Sequence, residues 1–363
     1  MNDTEKQKFL RALTALKLGP QIDGNQYSYD DFVSIHLQYK TKVHGTPLFL
    51  PWHRALLSIF EQHLQRIDPD VFVPYWDWGS ESQTPELSSI FYSSAFGGHG
   101  PACIPDGIAQ GWVRKFPDND PNLAGSCLCR LWTNGKIGPL MSNDQLQSQV
   151  IPAYNDFASF APHLEIIHGA VHVLVGGGPA GDLWQMYSPN DPIFYLHHSN
   201  VDRIWELWQS QSSQHLTDFS EDKSQILEPF SIVLSDVLDN AQNCIQYGPT
   251  GAPSPGQQIQ PPSPSGSSVV SLAVRRARPP GSGDSNNPVR RRLLGSPLVD
   301  CDLDKRDSSM QPYGFLAPLP PSWADMNNIS LQKVREVELL HETWIRQRNN
   351  RIGHHYHRCR ARS

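Results

Sequence analysis

The chain has 363 residues, with 30 Lys and Arg against 36 Asp and Glu and a formal net charge of −6. A balance that mild leaves no electrostatic footprint for nucleic acid or an anionic membrane, and no apolar run approaches the ~18 residues of a membrane-spanning helix. Proline (31) and histidine (15) are conspicuous. About 8.5% Pro against a usual ~5% points to an unstructured stretch, and eleven His between positions 36 and 215 point to a metal.

The opening residues, Met1 to Lys6, carry no apolar stretch of the kind found in a secretory leader, and the compartment stays open. Residues 1–247 read as one mostly helical unit with long Pro/Gly/Asn loops. Four segments carry the helical period. Phe32, His36, Tyr39 and Val43 form the first apolar face, and His53, Leu57, Phe60, Leu64 and Ile67 the second. Leu164, His168, Val171 and Val175 form the third, and Phe194, His198, Val201, Trp205 and Trp208 the fourth. Pro51 and Pro192 stand where a helix begins, a position that tolerates proline. Residues 71–74 fit a short strand, but no sheet-forming repeat is present.

Six cysteines, at 103, 127, 129, 244, 301 and 359, form no CxxC zinc pattern. Cys103 and Cys127 flank a Gly/Pro/Asp-rich loop and read either as a disulfide across it or as free thiols. Asn328-Ile329-Ser330 is a glycosylation sequon, relevant only to a secreted chain. From Gly248 the composition turns to Gly, Pro and Ser, with six Arg between Arg275 and Arg292. Residues 248–312 are therefore expected to be a disordered linker, too poor in apolar side chains to offset ordering entropy. Residues 313–363 form a C-terminal extension with one helix, roughly 330–349, and a basic, irregular tail that includes His354, His355 and His357.

A lone His on an apolar helical face is usually a satisfied core residue. Four such faces, each with a His, are a different case, because several buried imidazoles are costly unless neutral and paired. A metal satisfies them together. His168 and His172, at i and i+4, have chelating spacing, but position 169 is Gly, so the Glu of the zinc-hydrolase H-E-x-x-H pattern is absent. His44 and His53 are separated by Pro47 and Pro51, so a loop must bring them together. His63, His99, His163 and His215 have no motif position and read as structural or exposed.

With these residues in place, the sequence resembles the tyrosinase and catechol oxidase (polyphenol oxidase) family of type 3 copper proteins, and within it the short fungal type. The run His44-Gly45-Thr46-Pro47-Leu48-Phe49-Leu50-Pro51-Trp52-His53-Arg54, with Glu61 beyond it, resembles the family's first copper motif. The run Asp191-Pro192-Ile193-Phe194-Tyr195-Leu196-His197-His198-Ser199-Asn200-Val201-Asp202-Arg203 resembles the second. Pro74-Tyr75-Trp76-Asp77-Trp78 resembles a stretch between them, and the likeness spans about residues 30–247. It implies a mainly α fold: a four-helix bundle housing a binuclear copper centre, with long irregular loops. It implies two copper ions, the first held by His36, His44 and His53 and the second by His168, His172 and His198. In the His197-His198 pair the motif places the ligand four residues before Asp202. Imidazole donors also suit copper on chemical grounds. Asp202 is expected either to hold the His198 ring or to pair with Arg54, and Gln185 falls where the family has a gate residue.

The chain departs from the family pattern in places. Lys42 stands where many relatives carry a cysteine cross-linked to the second ligand, and Ile245 replaces the first Tyr of a Tyr-x-Tyr pair that ends in Tyr247. Glu165, three residues before His168, matches a family Glu that holds a water together with an Asn, but the Asn position is Gly169. Hydroxylating a monophenol requires a proton to leave a phenol of pKa about 10, a task for a carboxylate base. The resemblance therefore implies oxidation of o-diphenols to o-quinones with reduction of O2 to water, with monophenol hydroxylation weak. The alternatives are a full tyrosinase, an o-aminophenol oxidase and, less favoured, a haemocyanin-like O2 carrier. Expected partners are a phenolic small molecule and O2, with no nucleic acid and no membrane; the oligomeric state is open.

Overall fold

The structure, a computed structural model, describes residues 3–19, 27–100, 102–118, 125–243, 245–248 and 311–360, with backbone alone for 353–360. The expected linker falls almost wholly outside these residues. Helix α1 (Asp3–Leu18) lies outside the bundle of α2 (Tyr29–Val43), α3 (Phe49–Gln65), α5 (Phe157–Gly176) and α6 (Ile193–Gln209). The one-turn α4 (Asn143–Gln145), the short α7 (Leu234–Val237) and a two-stranded pair, β1 (Ile226–Leu227) with β2 (Ile232–Val233), lie in the loops. Residues 71–74 form no strand. Two C-terminal helices, α8 (Pro321–Met326) and α9 (Leu331–Arg360), complete the described chain.

The four periodic segments are the four bundle helices. Local chemistry sets their ends. Ser28 and Asp31 form a reciprocal capping box that starts α2. Asp156 caps α5 by accepting from Ser159 N at 2.8 Å, and Gly177, at φ +76°, ends it. Helix α6 starts after Asp191, whose Oδ1 accepts from Ile193 N at 3.0 Å. That carboxylate is held in place by Arg130, Nε–Oδ2 2.7 Å and Nη2–Oδ1 2.8 Å, a fully buried bidentate pair. The core between the helices is dense with indoles: Trp52, Trp76, Trp78, Trp205 and Trp208 are all fully buried. Cys103 and Cys127 are joined as a disulfide, while Cys129 beside them is free.

The C-terminal extension requires a correction. Helix α9 continues to Arg360, past the expected end near residue 349 and through the tail read as irregular. Gly353 is the only breaker there, and one glycine costs a helix only ~1 kcal/mol. The extension also packs on the core. Leu319, Trp323, Ala324, Val334 and Val337 form a second apolar cluster with Ile166 and Val173 of α5 and with Trp184.

Candidate metal centre

Helices α2 and α3 and the loop between them bring His36, His44 and His53 together; α5 and α6 do the same for His168, His172, His197 and His198. All seven rings are buried, and within each group the candidate ligand atoms lie within 4.8 Å of one another. The loop expected between His44 and His53 is there, with Gly45 at φ +67° making the turn. The two groups meet where His53 stacks on His198, ring centroids 4.4 Å apart and planes 12° from parallel.

Five of the six predicted ligands are fixed at Nδ1. His36 donates to the Met186 carbonyl at 2.7 Å, His53 to the Phe49 carbonyl at 2.7 Å and His168 to the Glu165 carbonyl at 2.6 Å. His172 donates to the Leu183 carbonyl at 2.8 Å, and His44 to the Glu165 side chain at 3.1 Å. A neutral imidazole that donates through Nδ1 has a bare lone pair on Nε2. Desolvation keeps these rings neutral, lowering His36 and His172 to about 4 and the others further below the usual range.

The bare Nε2 atoms converge. Those of His36 and His44 are 3.2 Å apart, lone pair towards lone pair, an arrangement a cation between them would satisfy. Nε2 of His53 and of His168 have no hydrogen-bond partner, and Nε2 of His172 and His198 are 3.1 Å apart. Buried, neutral, converging imidazole nitrogens are the donor set that copper takes.

The surroundings answer several expectations. Asp202 pairs with Arg54, Nε–Oδ1 2.6 Å, rather than with His198, whose Nδ1 has no hydrogen-bond partner. Arg54 also donates to the carbonyls of Val237 and Leu238 at 3.0 and 3.1 Å and lies over the Trp205 ring. Tyr247, the remaining Tyr of the Tyr-x-Tyr site, donates to Asp202. Glu165 Oε1 accepts from both His44 Nδ1 and Gly45 N, the latter at 2.9 Å, and burial pushes this carboxyl well above its usual range. Gln185 Nε2 donates to the Pro179 carbonyl at 2.6 Å.

Sequence reasoning missed three features. The carbonyls of Leu183 and Met186 orient one ring in each group, and no side chain signals them. His197 is fully buried with its ring parallel to that of His168, 5.4 Å away; the motif had passed over it in favour of His198. Phe49 and Phe194 each touch four of the histidine rings. Phe194 packs on His36, His53, His172 and His198, and Phe49 on His44, His53, His168 and His198.

Residues 26–211 match the family described as the common central domain of tyrosinase. The chain is 32% identical over 228 residues to a tyrosinase of Streptomyces antibioticus, covering 56% of this chain and 78% of that one. It is 31% identical over 266 residues to grixazone synthase of Streptomyces griseus, covering 58% and 82%. Among solved structures it is similar to a polyphenol oxidase of Thermothelomyces thermophila, at 20% identity and a TM-score of 0.45, over 66% of this chain and 83% of that one.

Proposed function

The chain belongs to the tyrosinase family and is a type 3 copper oxidoreductase acting on phenols, and from that premise we propose that it oxidises o-diphenols to o-quinones, with O2 reduced to water, and hydroxylates monophenols weakly. In this reading His36, His44 and His53 hold one copper and His168, His172 and His198 the other. The copper unit is residues 1–247. When bound, the two coppers supply reversible two-electron chemistry with O2. The protein's share is ligand geometry, a dry pocket and orientation of the phenol ring.

The observation that carries the metal assignment is the convergence of bare Nε2 atoms. Helix α6 favours His198 over His197, because His198 reaches both His172 and the His53 ring of the opposite group. The preference for diphenols is supported by the surroundings of Glu165. Its Oε1 is already engaged by His44 and Gly45. Position 169 offers no polar side chain, and an indole occupies the space a Cβ would take there. A base for monophenol deprotonation therefore lacks a second group to hold a water against it.

The test is direct. The copper-loaded chain is given a catechol and the matching monophenol, with oxygen uptake and quinone absorbance recorded. Rapid oxidation of the catechol with slow or lagging use of the monophenol is expected. Equally fast turnover of both, without a lag, would make a full tyrosinase of it.

A further inference from the structure

His53 and His198 are each packed by both phenylalanines. The residues that follow two of the other histidines are glycines: Gly45 after His44, and Gly169 after His168. Both glycines abut the turn around α8. A Cβ on Gly45 would lie 2.6 Å from the Asn328 carbonyl oxygen and 2.7 Å from that of Asn327. A Cβ on Gly169 would lie 2.0 Å from Cζ2 of Trp323 and 2.5 Å from Cε2 and Cη2. The indole thus lies flush against the helix backbone beside a histidine of the site, its ring centroid 6.5 Å from that of His168.

Trp323 is firmly held. It is 2% exposed and lies within the second apolar cluster. Its carbonyl accepts from both N and Nδ2 of Asn327, at 3.1 and 2.8 Å, and Ile329 N bonds back to the Ala324 carbonyl at 3.0 Å. Before α8, Leu319 N donates to Glu338 Oε1 of α9 at 2.6 Å and the Leu319 carbonyl accepts from Arg335 at 2.9 Å. Helix α9 is joined in turn to α5 through His341 and His163, Nε2 to Nε2 3.0 Å.

We propose that Trp323 is a specificity-determining residue of the phenol site: its indole stands where a side chain on residue 169 would stand and forms the wall that limits substituents on the substrate ring. The proposal rests on the phenol oxidase reading. It needs only that the bound phenol ring lies on the side of His168 that Gly169 borders, whether it carries one hydroxyl or two. A flat, apolar wall at that place favours small, unsubstituted rings and excludes those branched opposite the reacting oxygen.

Two readouts test it. The first needs no turnover. Gly→Ala inside a helix normally stabilises, but here the added methyl meets the indole. Gly169→Ala is expected to lower Tm in the wild-type background and to raise it in a Trp323→Ala background. An increase in both backgrounds would overturn the packing argument.

The second compares kcat/KM for catechol and 4-tert-butylcatechol, and for phenol and 4-tert-butylphenol. Trp323→Ala is expected to raise the bulky-to-small ratio by about tenfold or more, the scale of a single methylene group in a pocket. The same shift is read from the competitive inhibition constants of benzoate and 4-tert-butylbenzoate. An equal change for bulky and small compounds would make Trp323 a structural or covering residue and overturn the proposal. Should Trp323→Ala fail to accumulate folded, Trp323→Leu keeps an apolar side chain in the cluster while withdrawing the ring, and carries the same comparison. Activity on neither phenol nor catechol would instead refute the phenol oxidase reading, with the Tm comparison still deciding the packing.

Discussion

Glu165 offers a sharp separation of roles. Its Oε1 takes hydrogen bonds from His44 Nδ1 at 3.1 Å and Gly45 N at 2.9 Å, so it fixes the ring and the backbone of one predicted ligand together. Glu165→Ala removes the one acceptor of both bonds and leaves the buried His44 Nδ1–H without its partner, costing ~1–3 kcal/mol of stability. Partners that orient a metal-bound histidine are worth about 10–100-fold in metal affinity, which corresponds to ~1.4–2.8 kcal/mol. Glu165→Gln keeps an oxygen acceptor, so its copper affinity is expected within about threefold of wild type, because the hydrogen bonds to the oriented ring survive. Copper titration against a competing chelator, with metal content measured on the protein, reads the difference. If Glu165→Ala binds copper as tightly as wild type, the orienting role is refuted. A Glu165→Gln variant that keeps diphenol turnover but loses the residual monophenol turnover would show that the same carboxyl also acts as a base.

Other consequences are equally open to measurement. Asp202→Asn leaves Arg54 buried with no carboxylate partner, and breaking such a pair typically costs ~3–5 kcal/mol; chemical unfolding should register the loss, and a change under ~1 kcal/mol would show the pair to be dispensable. His172→Ala should reduce bound copper from two ions per chain to one, whereas full retention of both would remove it from the ligand set. Burial lowers His163 to about 4 and His341 to about 3 from the usual 6.5 or so, so both are neutral in the folded protein while the unfolded chain takes up protons below pH ~6.5. Their contribution therefore leads stability to fall as pH drops from ~6.5 towards 4, read as urea midpoints at pH 7 and 5, and His341→Gln should flatten that slope.

The parts of this molecule that were legible in its sequence are those that repeat. Histidines on apolar helical faces announced four helices and the rings they turn inward, because a period of 3.6 places every fourth residue on one side. Asp202 and Arg54 were readable as partners because each lies within a long motif. The carbonyls of Leu183 and Met186 were not, since every residue carries the same backbone oxygen and only the folded loop aims it. Nor was the contact of Gly169 with Trp323: a glycine signals a close approach but does not name what approaches, and the indole arrives from a distant segment. The length of α9 was misread for a simpler reason, since a lone Gly and a run of basic residues look like a tail when no packing partner is in view.

The short segment from Leu183 to Met186 ties a ring of each histidine group to a single piece of backbone. The two metal positions are therefore not independent in the mechanical sense. Ordering the segment prepares both, and disordering it releases both. Filling one position pre-orders part of the other and lowers what the second ion must spend on immobilising its own ligand. Metal uptake should then be cooperative, with the half-loaded chain scarce at every copper concentration.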